Sequence, residues 1–376
     1  MFSLTEKERN WVDDIWCKIE NKLNWVSTSS KDKIPYTTIN GIHDNKAKDD
    51  ICWWTNGFWP GLMWLMYVST KKEQYRSVAE HAEEELDKAF FSYDKLHHDV
   101  GFMWHISAGV NYRLFGGKAS YNRAMFAASL LASRYNDTGK FIRAWNGKDD
   151  VGKVIIDCMM NIPLLYWASE ELLDPRFKFI AMNHADTTMQ NHIRTDGAAY
   201  HILNYDPNTG QLLGPLPGQG YAPDSAWSRG QAWALYGFIL SYIHTKKQEY
   251  LNVAKKIAHY IIANVCNDYL FVCDFRSPLN PVIYDTTAGA CAACGLLEIT
   301  KCVSECEQSI YLNAAINILR ALEEKFCNWT KEEQSILQGG TEAYHRVLTR
   351  HIPIIYGDYF LVEAFYKLKG FNMLFW

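Results

Sequence analysis

No run of apolar residues in this 376-residue chain reaches the roughly 20 that a membrane-spanning helix needs, because Lys, Asp or Glu interrupts each candidate. A block of basic residues is also missing. With a formal net charge of only -4, the electrostatic footprint of a nucleic-acid binder is absent. The opening Met1-Phe2-Ser3-Leu4-Thr5-Glu6 lacks the basic stretch and apolar segment of a secretory leader, so a soluble, cytoplasmic protein is expected. No linker divides the chain, and residues 1–376 read as one domain. A nucleophilic-serine elbow and a Gly-rich phosphate loop are lacking too, which removes two large classes of enzyme.

What is present is a well-stocked core: 48% of residues are hydrophobic and 21% charged, ordinary for a packed globular protein. The ten cysteines are scattered through apolar helical stretches and read as reduced, small hydrophobes. Cys291 and Cys294 form a C-x-x-C, with Cys302 and Cys306 further on, so a metal site has to be weighed. The pair lies in Ala-Gly-Ala-Cys-Ala-Ala-Cys-Gly, a run of small residues suited to close helix packing, and packing is the reading preferred.

Ser3-x-x-Glu6 has the pattern of a capping box, and Trp11, Ile15, Ile19 and Leu23 follow at helical spacing, which predicts a first helix to about Trp25. Further periodic stretches lie near 58–69, 71–90, 101–115, 118–136, 156–170, 174–194, 228–244, 246–265, 285–302, 307–327 and 357–369. That makes about twelve helices. A weak repeat, an aromatic residue followed by small and aliphatic ones, recurs at Tyr75, Tyr121, Phe177, Tyr250 and Tyr311, each time where the second helix of a hairpin would open. Six hairpins that cannot bury their faces alone must pack on neighbours, so the expected fold is all-α, a closed α/α toroid (barrel) of six helical hairpins. An open solenoid fits less well, because the repeats are irregular and the long loops are rich in Trp, His and Asp.

A ring of helices gathers its connecting loops at one mouth, and four segments there carry chemistry. Trp53-Trp54-Thr55-Asn56-Gly57-Phe58-Trp59 offers flat aromatic faces of the kind sugars stack on, although Trp also fills cores. His97-His98-Asp99 precedes a helix that Asp99 could simply cap. Two histidines and an aspartate suggest a metal as well, but adjacent histidines usually point apart, and no metal is expected. In Val154-Ile155-Ile156-Asp157-Cys158-Met159-Met160-Asn161, Asp157 sits in an apolar run. An unpaired charge is costly in such surroundings and desolvation favours a carboxyl's neutral form, as a general acid requires; an N-cap is the plainer alternative. Trp145 lies shortly before it. Finally, Gln219-Gly220 leads to Ser225-Ala226-Trp227-Ser228-Arg229-Gly230-Gln231-Ala232-Trp233, where Ser228 is expected to cap the next helix and Arg229 falls in its first turn. Cations are disfavoured at a helix N-terminus, so Arg229 is expected to serve an anionic group, and a uronate carboxylate suits its planar fork. Two carboxylates, one Arg, several Trp and a few His describe a site for an acidic sugar.

These motifs resemble those of the unsaturated glucuronyl hydrolases, glycoside hydrolase family 88. The resemblance runs from Trp54-Thr-Asn-Gly-Phe-Trp59 through His97-His-Asp-Val-Gly-Phe102, Ile155-Ile-Asp-Cys158 and Trp227-Ser-Arg-Gly-Gln-Ala-Trp233. It continues through Cys294-Gly-Leu-Leu-Glu-Ile299 to Tyr356-Gly-Asp-Tyr359 and Glu363-Ala364. The ordered set is more specific than any one motif. It implies a six-hairpin toroid that removes the 4,5-unsaturated uronic acid from lyase-generated oligosaccharides by hydrating the C4=C5 bond, so the carboxylate-separation rule for retaining and inverting enzymes does not apply. It further implies Asp157 as general acid and base and Asp99 as second essential carboxylate. His201, Gln219 and Arg229 would contact the uronate, Trp54, Trp145, Trp227 and Trp233 would line its pocket, and His98 would place Asp99.

No cofactor is implied, and the expected partner is a small acidic oligosaccharide bound by a monomer or weak homo-oligomer. Some members that favour sulfated disaccharides carry Ser and Lys in the loop before the last helix. Here that loop is Glu342-Ala-Tyr-His-Arg-Val-Leu-Thr-Arg350, so Arg346 or Arg350 would have to meet a sulfate or distal sugar, or else be solvated loop charges. The alternatives are an unsaturated rhamnogalacturonyl hydrolase, a sugar epimerase on the same fold using His98 and His201, and a sugar-binding protein without catalysis.

Overall fold

Two kinds of helix alternate along the chain, and side-chain patterning separates them: some are apolar on every side, and others carry one apolar stripe. A helix that is hydrophobic all round has to be enclosed, whereas a striped one can face water. The computed structural model describes residues 2–265 and 267–376. Its α-helices among the described residues are α1 (Glu6–Ser29), α2 (Lys46–Asp49), α3 (Phe58–Thr70), α4 (Glu73–Glu85), α5 (Val100–Trp104), α6 (Ala108–Phe115) and α7 (Lys118–Ala132). After these come α8 (Pro163–Leu172), α9 (Pro175–Asn191), α10 (Ser228–Thr245), α11 (Gln248–Val265), α12 (Thr286–Cys302), α13 (Glu305–Phe326) and α14 (Ile355–Leu368).

The enclosed set is α3, the α5–α6 pair, α8, α10, α12 and α14. Residues 355–368 of α14 are all buried, as are 228–241 of α10 and 286–300 of α12. The striped set, α1, α4, α7, α9, α11 and α13, packs outside, so the architecture is the expected α/α toroid. Contacts of α14 with both α12 and α3 close the inner ring, and Trp11 of α1 meets Phe365 of α14 with ring centroids 5.2 Å apart. The repeat aromatics all fall on outer helices. Tyr75, Phe177, Tyr250 and Tyr311 are buried there, pinning the outer layer to the inner one.

Several local expectations are corrected. The capping box at the start of α1 is Thr5 with Glu8, not Ser3 with Glu6: the Thr5 hydroxyl accepts from Glu8 N, and the Glu8 carboxylate accepts from Thr5 N at 2.8 Å. The single helix expected over 101–115 is broken between α5 and α6, where the Ser107 hydroxyl takes the Met103 carbonyl at 2.5 Å. The helix expected from 156 starts as a 3-10 turn, Ile156–Met160, and α8 begins only at Pro163, whose fixed φ suits a first helical position. Cys291 and Cys294 are buried and free. A Cβ on neighbouring Gly295 would meet Leu235 and Tyr236 at 3.0 to 3.2 Å, so the small residues serve close packing of α12 on α10.

Strands were not foreseen. β1 (Thr38–Ile39) with β2 (Ile42–His43), and β3 (Tyr135–Asn136) with β4 (Phe141–Ile142), are short antiparallel pairs. β5 (Lys153–Ile155), β6 (Ile202–Tyr205) and β7 (Leu212–Leu216) form a three-stranded antiparallel sheet above the ring. Its register matters for the site: Ile155 pairs with Ile202 and Ile156 N donates to His201 O at 3.0 Å, which sets His201 beside Asp157. No helix among the described residues is long and apolar enough to cross a membrane.

Candidate active site

The inner helices all begin at one mouth. Trp54 before α3, Asp99 before α5, Asp157 before α8, Arg229 in the first turn of α10, Asp285 before α12 and Tyr356 in α14 are brought together by the ring. The Trp54 ring lies 5.2 Å from Tyr356 and 5.5 Å from Phe102, and the Arg229 guanidinium lies 5.4 Å from the Tyr356 ring. The N-terminal ends of α3, α8, α10, α12 and α14 therefore converge, and their aligned peptide dipoles make the mouth favourable to an anion.

Asp157 is buried, and its Oδ1 has no hydrogen-bond partner. Its near neighbour is His201 Nε2 at 3.5 Å. The other nitrogen of that ring, Nδ1, accepts from Gln219 N at 3.0 Å, so in the neutral ring the proton sits on Nε2, on the side of Asp157. This contact needs a glycine beside it, since a Cβ on Gly218 would stand 2.1 Å from His201 Nδ1. Trp227 packs against the imidazole, centroids 4.2 Å apart and tilted by 40°.

Asp99 stands where a helix cap would, but its carboxylate caps nothing. Asn161 Nδ2 donates to Asp99 Oδ1 at 3.0 Å, and His98 Nε2 lies 3.1 Å from the same oxygen. His98 Nδ1 is 2.7 Å from Ala144 O, a contact that only a protonated Nδ1 can make. Burial opposes charge on both partners, but each more than offsets the penalty for the other. The His98 imidazolium is thus held above its usual range and the Asp99 carboxyl below its own. Asp99 is kept ionised, whereas Asp157 has no cation of this kind.

Arg229 was expected to serve an anion, and the anion in contact with it is a residue of the protein. Its Nη1 pairs with Asp285 and donates to Thr341 O at 2.7 Å, while Nη2 donates to Glu342 O at 2.7 Å. Burial works against its charge, and Asp285 outweighs burial, so the guanidinium is held more basic than usual. Gln219 Nε2 donates to the same Glu342 carbonyl at 2.7 Å. Ser228, expected to cap α10, is its first residue instead, and its hydroxyl bonds Cys273 O at 3.2 Å.

Of the tryptophans, Trp54 and Trp145 are partly exposed, with Trp145 6.4 Å from the His98 ring. Trp233 differs from expectation: it has no exposed surface and lies beneath the pocket against Phe102 and Phe360, because the first turns of α10 point it into the ring. Arg346 is exposed and pairs with Glu342 at 3.0 Å, and Arg350 donates to Tyr344 O. Sequence reasoning missed Asn161 and Asp285. Asn161 was legible as the polar residue four after Asp157 in an apolar run; Asp285 was absorbed into the periodic stretch 285–302, whose helix starts only at Thr286.

The histidines at 97 and 98 also depart from expectation. Their rings do not diverge but lie 5.2 Å apart, tilted by 32°, with His97 Nδ1 3.4 Å from Asp99 Oδ2.

A toroid with a mouth that favours anions, two carboxylates in contrasting surroundings and an aromatic wall defines a glycoside hydrolase acting on acidic sugars. No family model matches the chain. It is 33% identical over 324 residues to the unsaturated glucuronyl hydrolase of Bacillus sp. (strain GL1), covering 84% of this chain and 86% of that protein. It is 31% identical over 378 residues to the unsaturated chondroitin disaccharide hydrolase of Streptococcus pneumoniae, covering 97% and 92%. The crystal structure of the unsaturated glucuronyl hydrolase from Streptococcus agalactiae superposes with a TM-score of 0.89 at 29% identity, over 100% of this chain and 95% of that one. The chain belongs to the unsaturated glucuronyl hydrolase family.

Proposed function

We propose that this protein removes the 4,5-unsaturated uronic acid from the non-reducing end of small acidic, glycosaminoglycan-type oligosaccharides, with residues 1–376 working as one catalytic unit. The observation that carries the reading is the contrast between the two carboxylates. Asp157 is buried with an unpartnered oxygen beside His201, and Asp99 is fixed as an anion by His98 and Asn161. Carboxyls in such different surroundings take different parts: Asp157 is free to give and retake a proton, and Asp99 stays charged.

Asp157 gives its proton to C4 of the double bond. A water adds its oxygen to C5 and returns a proton to Asp157, so the carboxyl is regenerated. The product carries a hydroxyl and the ring oxygen on C5, a hemiketal. Its opening leaves a ketone at C5 and a hemiacetal at C1, which releases the neighbouring sugar as the free alcohol. Asp99 holds the water and the ring hydroxyls as a permanent anion. His201 and Gln219 fix the uronate over Asp157. Arg229, already balanced by Asp285, contributes a positive edge and the shape of the 341–342 segment rather than a free fork.

Trp54, Trp145 and Trp227 wall the sugar, and Trp233 supports them from below. Arg346, the more exposed of the two loop arginines, is the one placed to meet a distal sugar or its sulfate. Curated relatives named as glucuronyl and chondroitin disaccharide hydrolases favour this reading over the rhamnogalacturonyl one.

The test follows the ultraviolet absorbance of the conjugated uronate, for wild type and Asp157→Asn, on unsulfated and sulfated unsaturated chondroitin and heparin disaccharides and on a pectin-derived one. Bleaching of a glycosaminoglycan disaccharide by wild type only is expected. Activity confined to the pectin fragment would overturn the substrate class, and an active Asp157→Asn would overturn the mechanism.

A further inference from the structure

His97, His98 and Asp99 bring three metal-ligating groups to one point, with one ligand atom from each lying within 4.8 Å of the other two. Three features distinguish this cluster from a chance meeting of polar residues. His98 is buried, and its Nε2 has no hydrogen-bond partner: Asp99 Oδ1 stands 3.1 Å away but off the axis of the ring nitrogen. Its other nitrogen is anchored to Ala144 O at 2.7 Å, the outer contact that orients metal-bound histidines and leaves Nε2 as the ligand atom. His97 retains 23% side-chain exposure, so the cluster has an entrance.

The distances suit a tetrahedral ion. Bonds of about 2.0 to 2.1 Å at tetrahedral angles place neighbouring ligand atoms about 3.4 Å apart. His97 Nδ1 stands 3.4 Å from Asp99 Oδ2 and His98 Nε2 stands 3.1 Å from Asp99 Oδ1, so each histidine is at such a spacing from one oxygen of the carboxylate, and a small turn of that carboxylate presents a single oxygen to both. The remaining separation, between the two rings, closes by a swing of the more exposed His97.

We propose that His97, His98 and Asp99 form a site for a borderline divalent cation, Zn2+ being the probe of choice, and that its occupation switches the enzyme off by engaging Asp99. The switch rests on the reading of Asp99 as an essential anion; the binding site does not. The ion takes the Nε2 lone pair of the tautomer whose Nδ1–H donates to Ala144 O, so any proton resting on Nε2 leaves as the ion enters, and no redox change is involved. The ion here is an inhibitor and has no part in the hydration chemistry.

The experiment uses the full chain stripped of metal. Zn2+ binding is measured by calorimetry without substrate, and Co2+ binding by its visible absorption, for wild type and His97→Gln; Zn2+ inhibition is then measured for both. One tight site in wild type is expected, with tetrahedral Co2+ bands, weakened at least about tenfold in His97→Gln. The inhibitory Zn2+ concentration should rise by the same factor, while activity in a chelator stays at the wild-type level. Equal Zn2+ affinity in the two proteins, or no binding by wild type, overturns the site. Loss of binding in His97→Gln with unchanged inhibition overturns the switch. The binding arms need no turnover, so failure of the proposed activity is distinguishable from failure of the site.

Discussion

Asn161 Nδ2 donates at 3.0 Å to Asp99 Oδ1, and the same nitrogen donates at 3.2 Å to the backbone oxygen of Asp157. Its Oδ1 accepts from Phe102 N at 2.8 Å, so one amide ties together the segments that carry both carboxylates. A Cβ on Gly101 would stand 2.6 Å from the Asn161 backbone, which shows how close the two segments run. Asn161→Ala removes the spacer and lets Asp99 drift relative to Asp157. Since a displacement of about 1 Å can cost roughly a hundredfold in rate, kcat should fall by about that factor with KM changed much less. Steady-state kinetics on the best disaccharide checks this; an unchanged kcat would show that the amide is dispensable.

The Arg229–Asp285 pair is buried on both sides. Removing one partner strands the other charge, so Asp285→Ala should destabilise the protein by about 3 to 5 kcal/mol. The double variant Arg229→Met/Asp285→Leu should recover much of that stability and none of the activity. Denaturant unfolding and the absorbance assay together separate the two effects.

Acid should unfold this protein early. Burial pushes His43, His184 and His192 down to about 3, whereas in the unfolded chain each titrates near 6.5. Between those values the unfolded state binds more protons, so stability is lost as pH falls below about 6.5. At pH 5 each group costs about 2 kcal/mol. Asp358 acts the other way: burial outweighs its donors Ile336, Leu337 and Ser335 and raises it to about 6, so its native form takes up a proton first. His97 and His105 are pushed down by burial as well, and His98 acts with Asp358, so the lowered histidines outnumber the raised groups and leave a net loss. Thermal melts should fall steadily from pH 7 to pH 5, and His184→Gln, which keeps an acceptor for Ile142 N, should flatten that slope.

Trp376 fills the middle of the ring. It contacts Phe58, Phe102, Tyr236, Tyr359 and Phe360, and its Nε1 donates to Glu363 Oε2 at 3.2 Å. Trp376→Ala opens a cavity and should cost about 3 to 5 kcal/mol. Because Phe102 also touches Trp54 and Trp233, the sugar wall slackens as well, and KM should rise. A lowered melting temperature with unchanged KM would confine the residue to the core.

The toroid was legible because the inner helices need continuous apolar runs and the outer ones a stripe, and both periods survive in the residues. Asp99 and Asp157 stood out in their motifs, whereas His201 lies in none of them and was named only through the family resemblance. The sheet that joins Asp157 to His201 was not legible, since Val154-Ile155-Ile156 reads equally as buried helix. Its β-branched residues were the available hint of a strand. Arg229 was found but its partner was not, because pairing across 56 residues leaves no local trace. The orientation of His98 depends on Ala144 and that of Asp99 on Asn161, which sequence proximity does not reveal.

Trp11 and Phe365 meet from near opposite ends of the chain, and that contact pins α1 to the helix whose packing on α3 closes the ring. In an open stack of hairpins the last repeat can peel away while the rest endures. A sealed ring has no last repeat: loosening any hairpin means breaking two junctions at once, and the junction of α14 with α3 that closes the circle forms only after nearly all of the chain is in place. Closure should therefore come late in folding, and hydrogen exchange of the inner helices should proceed as one cooperative unit, without a gradient from either terminus.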